Sequence, residues 1–258
     1  MTPAGAWTKA FAALLAALIV MPVLAAVPLA FSEQSFLRLP PHDWSLRWWS
    51  AFFADSSWLR ALLTSLEVAT LSCLLSVAAG TSAALGLTGL GPRMRALATG
   101  LFLGPMVAPV IVLAVGLYAL ARAAGLVGSA LGLVLAHTML ALPYVVLNVG
   151  VSVAALDPHL ALAAGGLGAG PWRVFRTVTF PAILPGVLGG GVFAFVTSFD
   201  EVVLAVFLAG PSVKTLPVRI WEEVRVEYTP VVAVAATIMI ILAVFGSAIG
   251  RLATRRAT

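Results

Sequence analysis

The sequence predicts an all-α membrane protein with six crossings, and three observations carry that prediction. Apolar residues make up 61% of the 258 and charged residues only 10%, against about a quarter charged in soluble domains. The few charges leave six uncharged runs: Ala10–Phe31, Val68–Pro92, Ala96–Ala121, Ala123–Leu156, Thr177–Phe199 and Tyr228–Gly250. Each is 22 to 34 residues long, and a helix needs about 20 apolar residues to cross the hydrocarbon core. Six crossings then use nearly the whole chain, so residues 1–258 read as one transmembrane domain with no separate soluble catalytic part. Helices are required because lipid offers no water to unpaired backbone groups.

In order along the chain, the first run follows Lys9 and is too long for a signal-peptide core, so it reads as an uncleaved signal anchor. Residues 32–58 are the longest polar connection and carry Trp44, Trp48, Trp49, Phe52, Phe53 and Trp58. That density of rings fits an interfacial helix on the bilayer surface. The second crossing is read as Leu62–Leu87, with Glu67 near its edge. The third, Leu97–Leu120, contains Pro105 and Pro109, which kink or break a spanning helix. The fourth, Leu133–Ala155, holds His137, read as a hydrogen-bonding residue inside the bundle. The fifth runs from Ala182 to about Leu208 through Gly189-Gly190-Gly191, a triplet that lets helices approach closely in lipid. Residues 209–229 turn polar, and Arg219–Glu223 and Glu222–Arg225 stand at helical spacing for ion pairs on a short surface helix. The last crossing is Pro230–Gly250. The single Cys73 excludes an intrachain disulfide and reads as a packing residue.

The stretch 157–181 interrupts this apolar chain with a helix of its own. Asp157 is an N-cap and Pro158 a suitable first helical residue. Leu160, Ala163, Ala164 and Leu167 follow at i, i+3, i+4 and i+7, and Gly168 can end the helix. Ala163-Ala164, Gly168 three residues on, then Val178, Phe180 and Pro181 after nine more form the spacing A-A-x3-G-x9-V-x-F-P. This spacing resembles the EAA loop of the permease subunits of ATP-binding-cassette (ABC) importers, with Leu162 in place of the family's Glu and Phe180 in place of its Leu. The resemblance implies a type I importer permease fold and a cytoplasmic coupling helix. In that reading Asp157, Leu160, Ala163, Ala164, Leu167, Gly168 and Pro181 dock into a separate ATPase.

Asp200 and Glu201 interrupt an apolar stretch. A charge in a spanning helix costs about 2.5–3.5 kcal/mol on insertion scales, so such residues face the bundle interior or water. Neighbours on a helix point about 100° apart, so one acid can face a pathway while the other pairs with Arg or a backbone group. The other reading ends the helix at Phe199 and leaves both acids wet. The segment S-F-D-E from Ser198, followed by T-L-P-V-R-I-W from Thr215, resembles the spermidine/putrescine importer permeases. It implies a pathway for a small organic cation at Asp200, Glu201 and Phe199, and Glu67 is a further carboxylate whose charge would attract amines; opines and metals are carried by other relatives.

The net charge of +5 comes from scattered basic residues without a basic, aromatic-laced stripe, which excludes a nucleic-acid interface and fits basic loops beside a lipid bilayer. With both ends cytoplasmic, Lys9, Arg93, Arg95, Arg173, Arg176, Arg251, Arg255 and Arg256 fall inside, against Arg38, Arg47, Arg122, Lys214, Arg219 and Arg225 outside. No G-x-x-x-x-G-K-[ST] loop is present, so the reading assigns no cofactor or metal to this chain and places ATP and Mg on a partner ATPase dimer. The other expected partners are a second permease, homologous or identical, and a periplasmic binding protein, at the inner membrane. The alternative is a stand-alone proton-coupled secondary transporter. Dispersed His42, His137 and His159 and the lack of H-E-x-x-H or G-x-S-x-G speak against an enzyme.

Overall fold

The computed structural model describes residues 5–35, 39–226 and 229–257; Arg38, Glu227 and Tyr228 of the sequence reading lie outside them. The described residues are almost wholly helical, and the backbone separates into two compact units, Met1–Arg60 with Arg219–Leu242 and Ala61–Val218 with Ala243–Thr258.

The first unit holds α1 (Ala6–Leu29), α2 (Arg47–Ala54) and the start of α3 (Ser56–Thr88). Its ring-rich connection does not lie wholly at the surface. Phe52 and Trp58 are buried with their rings 5.7 Å apart, while Trp44 and Phe53 are exposed. Arg219 of α11 (Leu216–Val226) lies over the Trp58 ring at 4.9 Å and pairs with Glu223 at 3.0 Å, the predicted i,i+4 bridge. Asp55 precedes α3, and its Oδ1 accepts from the Ser57 N–H at 2.7 Å. That backbone bond, first among its causes, holds the Asp55 carboxyl below its ordinary value.

The second unit is built on α6 (Ala130–Ala154), which packs along α9 (Phe180–Phe199) and also meets α4 (Pro92–Val107) and α10 (Val203–Leu208). Glycines explain how closely the pair approaches. A Cβ on Gly190 would stand 2.9 Å from the Val145 Cα, and one on Gly186 would meet the Asn148 carbonyl at 2.6 Å. With Gly186 and Gly190 four apart on one face, backbone lies against backbone where lipid gives no hydrophobic drive for helices to associate. On the other side of the triplet, Gly191 faces Val77 and Cys73 of α3, and Cys73 Sγ donates to its carbonyl at 3.2 Å. Ser72 and Ser76 of α3 donate to the Val134 and Thr138 carbonyls of α6 at 3.0 and 3.2 Å. Arg95 closes the far end of α3, donating to the Leu87 and Thr88 carbonyls of its last turn and to the Leu90 carbonyl just beyond it.

By length and composition α3, α6, Pro171–Phe199 and Val231–Ala248 of α12 (Val231–Ala257) can each cross a membrane. The count reaches six when two bent pairs, Trp7–Met21 with Val23–Leu29 and α4 with α5 (Val110–Ala123), are each one crossing. The third expected span, Leu97–Leu120, is broken, one of the two outcomes its prolines allow, and α4 and α5 meet at 103°; the fifth is corrected. Ala108 precedes Pro109 and is extended, with ψ of 139°, the conformation toward which a following proline ring biases a residue. Pro105 stays inside α4. The fifth helix ends at Phe199 rather than continuing to Leu208, and α10 starts only at Val203.

Candidate functional site

Two places in the second unit carry the residues that the sequence singled out, and a long helix separates them. The first is α7 (Pro158–Gly166), between α6 and the run formed by α8 (Pro171–Val174), a π-helical turn at Phe175–Thr179, and α9. Asp157 is extended, and its Oδ1 accepts from the His159 N–H at 2.9 Å, capping α7 as its residue type predicts. At the other end Gly168 has φ +84°. Its N–H donates to the Gly165 carbonyl at 2.9 Å, and the Ala169 N–H donates to the Ala164 carbonyl at 3.1 Å. A left-handed residue is what allows both bonds to close the helix, and glycine adopts it without a Cβ clash.

The apolar stripe divides. Ala161 and Ala164 are half-buried, while Leu160, Ala163 and Leu167 are exposed. Leu162, where the resembled family has Glu, is 70% exposed and Leu167 90%. Trp172 is 71% exposed and stacks on Phe175 at 5.5 Å, and Pro181 is exposed at the start of α9. The π turn precedes Pro181, whose missing N–H removes one rung of the ladder. A short capped helix with large apolar side chains in the open is a surface shaped to be covered.

The second place is the break after α9. The run Pro171–Phe199 is 29 residues long, so roughly 40 Å of helix at 1.5 Å per residue separates this break from α7. Asp200 is the C-cap of α9, donating its N–H to the Val196 carbonyl, and its side chain is exposed. Glu201 is only 8% exposed. Its Oε1 accepts from the Val203 N–H at 3.0 Å and its Oε2 from the Ala205 N–H at 3.2 Å, so the carboxylate caps the first turn of α10. Phe199 is buried and stacks on Phe195 at 5.7 Å. Glu67 is exposed along α3. Adjacent acids thus face different surroundings, and Glu201 meets His137 of α6 rather than Glu67.

His137 is fully buried, with Nδ1 2.9 Å from Ser198 Oγ and 3.1 Å from the Ser198 carbonyl. Ser198 entered the sequence reading only as part of a motif. The signal that could have found it is the pairing of lone polar residues within two apolar runs.

The sequence profile of the family described as "Binding-protein-dependent transport system inner membrane component" matches residues 76–258. The chain belongs to this family. The PotC spermidine/putrescine permease of Haemophilus influenzae is 30% identical to this permease over 248 residues, covering 96% of both chains. The PotI putrescine permease of Escherichia coli is 30% identical and covers 85% of this chain and 80% of its own. A molybdenum permease, ModB of Mycobacterium bovis, is 31% identical over 81% of this chain and 84% of its own. Among solved structures, a bacterial ABC transporter that imports alginate superposes with TM-score 0.73 at 13% identity, over 95% of this chain and 94% of that one. The MetNI methionine transporter gives 0.65 at 18% identity, over 78% of this chain and 95% of that one. The permease therefore has the all-α membrane fold of type I ABC importer subunits.

Proposed function

We propose that this permease is one membrane subunit of an ATP-driven importer that carries a small organic cation of the polyamine class into the cytoplasm. The observation that supports it most is the PotC likeness, which extends over 96% of both chains. In this reading α7 is the coupling helix. An ATPase dimer covers Leu160, Ala163, Leu162 and Leu167, and ATP with Mg is bound there and not on this chain. A second permease, homologous or identical, completes the pathway, and a periplasmic binding protein delivers cargo at the end where α9 breaks. Both termini lie in the cytoplasm of the inner-membrane subunit.

The acids divide the work. Asp200, exposed at the helix end, meets the cationic cargo, with Glu67 as a second acid along α3; Glu201 and Phe199 hold the break that presents Asp200. Coulomb attraction between a carboxylate and an amine about 4 Å apart is about 1 kcal/mol in water and several-fold more near a protein. The test is uptake of labelled putrescine and spermidine by proteoliposomes containing the full complex. ATP-dependent uptake that Asp200→Asn weakens is the expected result. ATP-dependent uptake of molybdate with no uptake of amines would overturn the cargo assignment. Amine uptake by this chain alone, driven by a proton gradient, would overturn the importer assignment.

A further inference from the structure

The His137 ring is the most deeply buried polar group near the break, and half of it is unaccounted for. Ser198 engages Nδ1 through its carbonyl at 3.1 Å and its hydroxyl at 2.9 Å, so Nδ1 either donates to the carbonyl or accepts from the hydroxyl. Nε2 is buried without a hydrogen-bond partner and faces Glu201 Oε2 at 3.9 Å. Two lone pairs cannot face each other there: an ionised carboxylate opposite a bare imidazole nitrogen repels it, with little water to screen the pair. One proton on the axis removes the conflict: on a neutral ring protonated at Nε2 while Nδ1 accepts from the Ser198 hydroxyl, on an imidazolium, or on the carboxyl group facing a bare Nε2. The gap exceeds hydrogen-bond length by about 1 Å.

We propose that His137 is a positioning residue, holding one shared proton with Glu201 so that α6 fixes the turn between α9 and α10 that presents Asp200. Through Ser198 it grips the last turn of α9, and through Glu201 it grips the first turn of α10. Each helix stops within a few residues of the contact. The inference rests on the assignment of Asp200 to the cargo, and its test separates the two.

The permease is labelled with 15N-histidine and assembled with unlabelled partners, and the His137 signal is identified by His137→Asn. An Nε2 that is protonated or hydrogen-bonded to a carboxyl proton, and that changes in Glu201→Gln, is expected. An unprotonated, unbonded Nε2 that is indifferent to Glu201→Gln overturns the shared proton whatever Asp200 does. In transport, His137→Asn raises the KM for putrescine about tenfold, the loss of one well-placed charged contact, with kcat and ATPase co-purification retained. The double variant with Asp200→Asn is no worse than Asp200→Asn alone. An unchanged KM in His137→Asn, or additive losses in the double variant, overturns the positioning role. An unchanged KM in Asp200→Asn itself overturns the cargo assignment, and the proton is then decided by the nitrogen signal alone.

Discussion

Gly168 shows how much one residue decides at the C-terminal end of α7. Its φ of +84° lies where a Cβ costs roughly 1–2 kcal/mol, although nothing else stands within 4 Å of the added atom. Gly168→Ala is therefore expected to loosen the C-terminal end of α7 by that amount and to reduce recovery of the ATPase subunit in pull-downs, with membrane insertion unaffected. Normal recovery and coupled ATP hydrolysis would remove α7 from the docking role. Gly190 is constrained by space and not by φ. A methyl there presses on the Val145 backbone, and overpacking of this kind costs about 1–3 kcal/mol. Gly190→Ala should lower the melting temperature in detergent by several degrees, whereas Gly116→Ala, which meets nothing within 4 Å, should leave it unchanged or raise it.

At the scale of elements, the caps and breaks were partly legible. Asp157 and Gly168 are local signals, readable because a cap needs only its own few residues. The right angle at Pro109 was half legible: both prolines stood out, but Pro105 is accommodated inside α4 and only the second breaks the chain. What happens at a proline depends on whether neighbouring groups replace the missing bond, and that is not local. The Asp55 cap on α3 gives an element-scale prediction. Its carboxyl is held low by the Ser57 N–H, so its contribution is present at neutral pH and is lost as pH falls through values below the ordinary 3.8. The stability difference between the native chain and Asp55→Asn should shrink on acidification below that range, read by melting temperature against pH. A difference constant with pH would mean that the charge is not part of the cap.

The whole molecule sets sidedness. If α7 faces the cytoplasm, so does the turn at Gly91, while the segment around Ser212 is outside. On a Cys73→Ser background, Ser212→Cys should react with a membrane-impermeant maleimide in spheroplasts, and Gly91→Cys and Gly168→Cys only after lysis. The reverse pattern would place the docking surface on the wrong side for an ATPase. Purified alone, the chain is expected to hydrolyse no ATP; turnover that survives removal of every partner would contradict the division of labour.

The apolar runs, the cap at Asp157, the glycine ending α7 and the E-A-A-like spacing were all written in the sequence, because each depends on composition or on residues a few positions apart. They determined an all-helical membrane chain and its family likeness. The sequence let one of Asp200 and Glu201 face a pathway while the other pairs with Arg or a backbone group, but only the tertiary structure decided which, leaving Asp200 exposed and turning Glu201 onto a helix start. It alone placed His137 beside Ser198, 61 positions away. Contacts of that kind come from the packing of α6 on α9 through Gly186 and Gly190, and no local pattern encodes which buried polar groups such packing brings face to face.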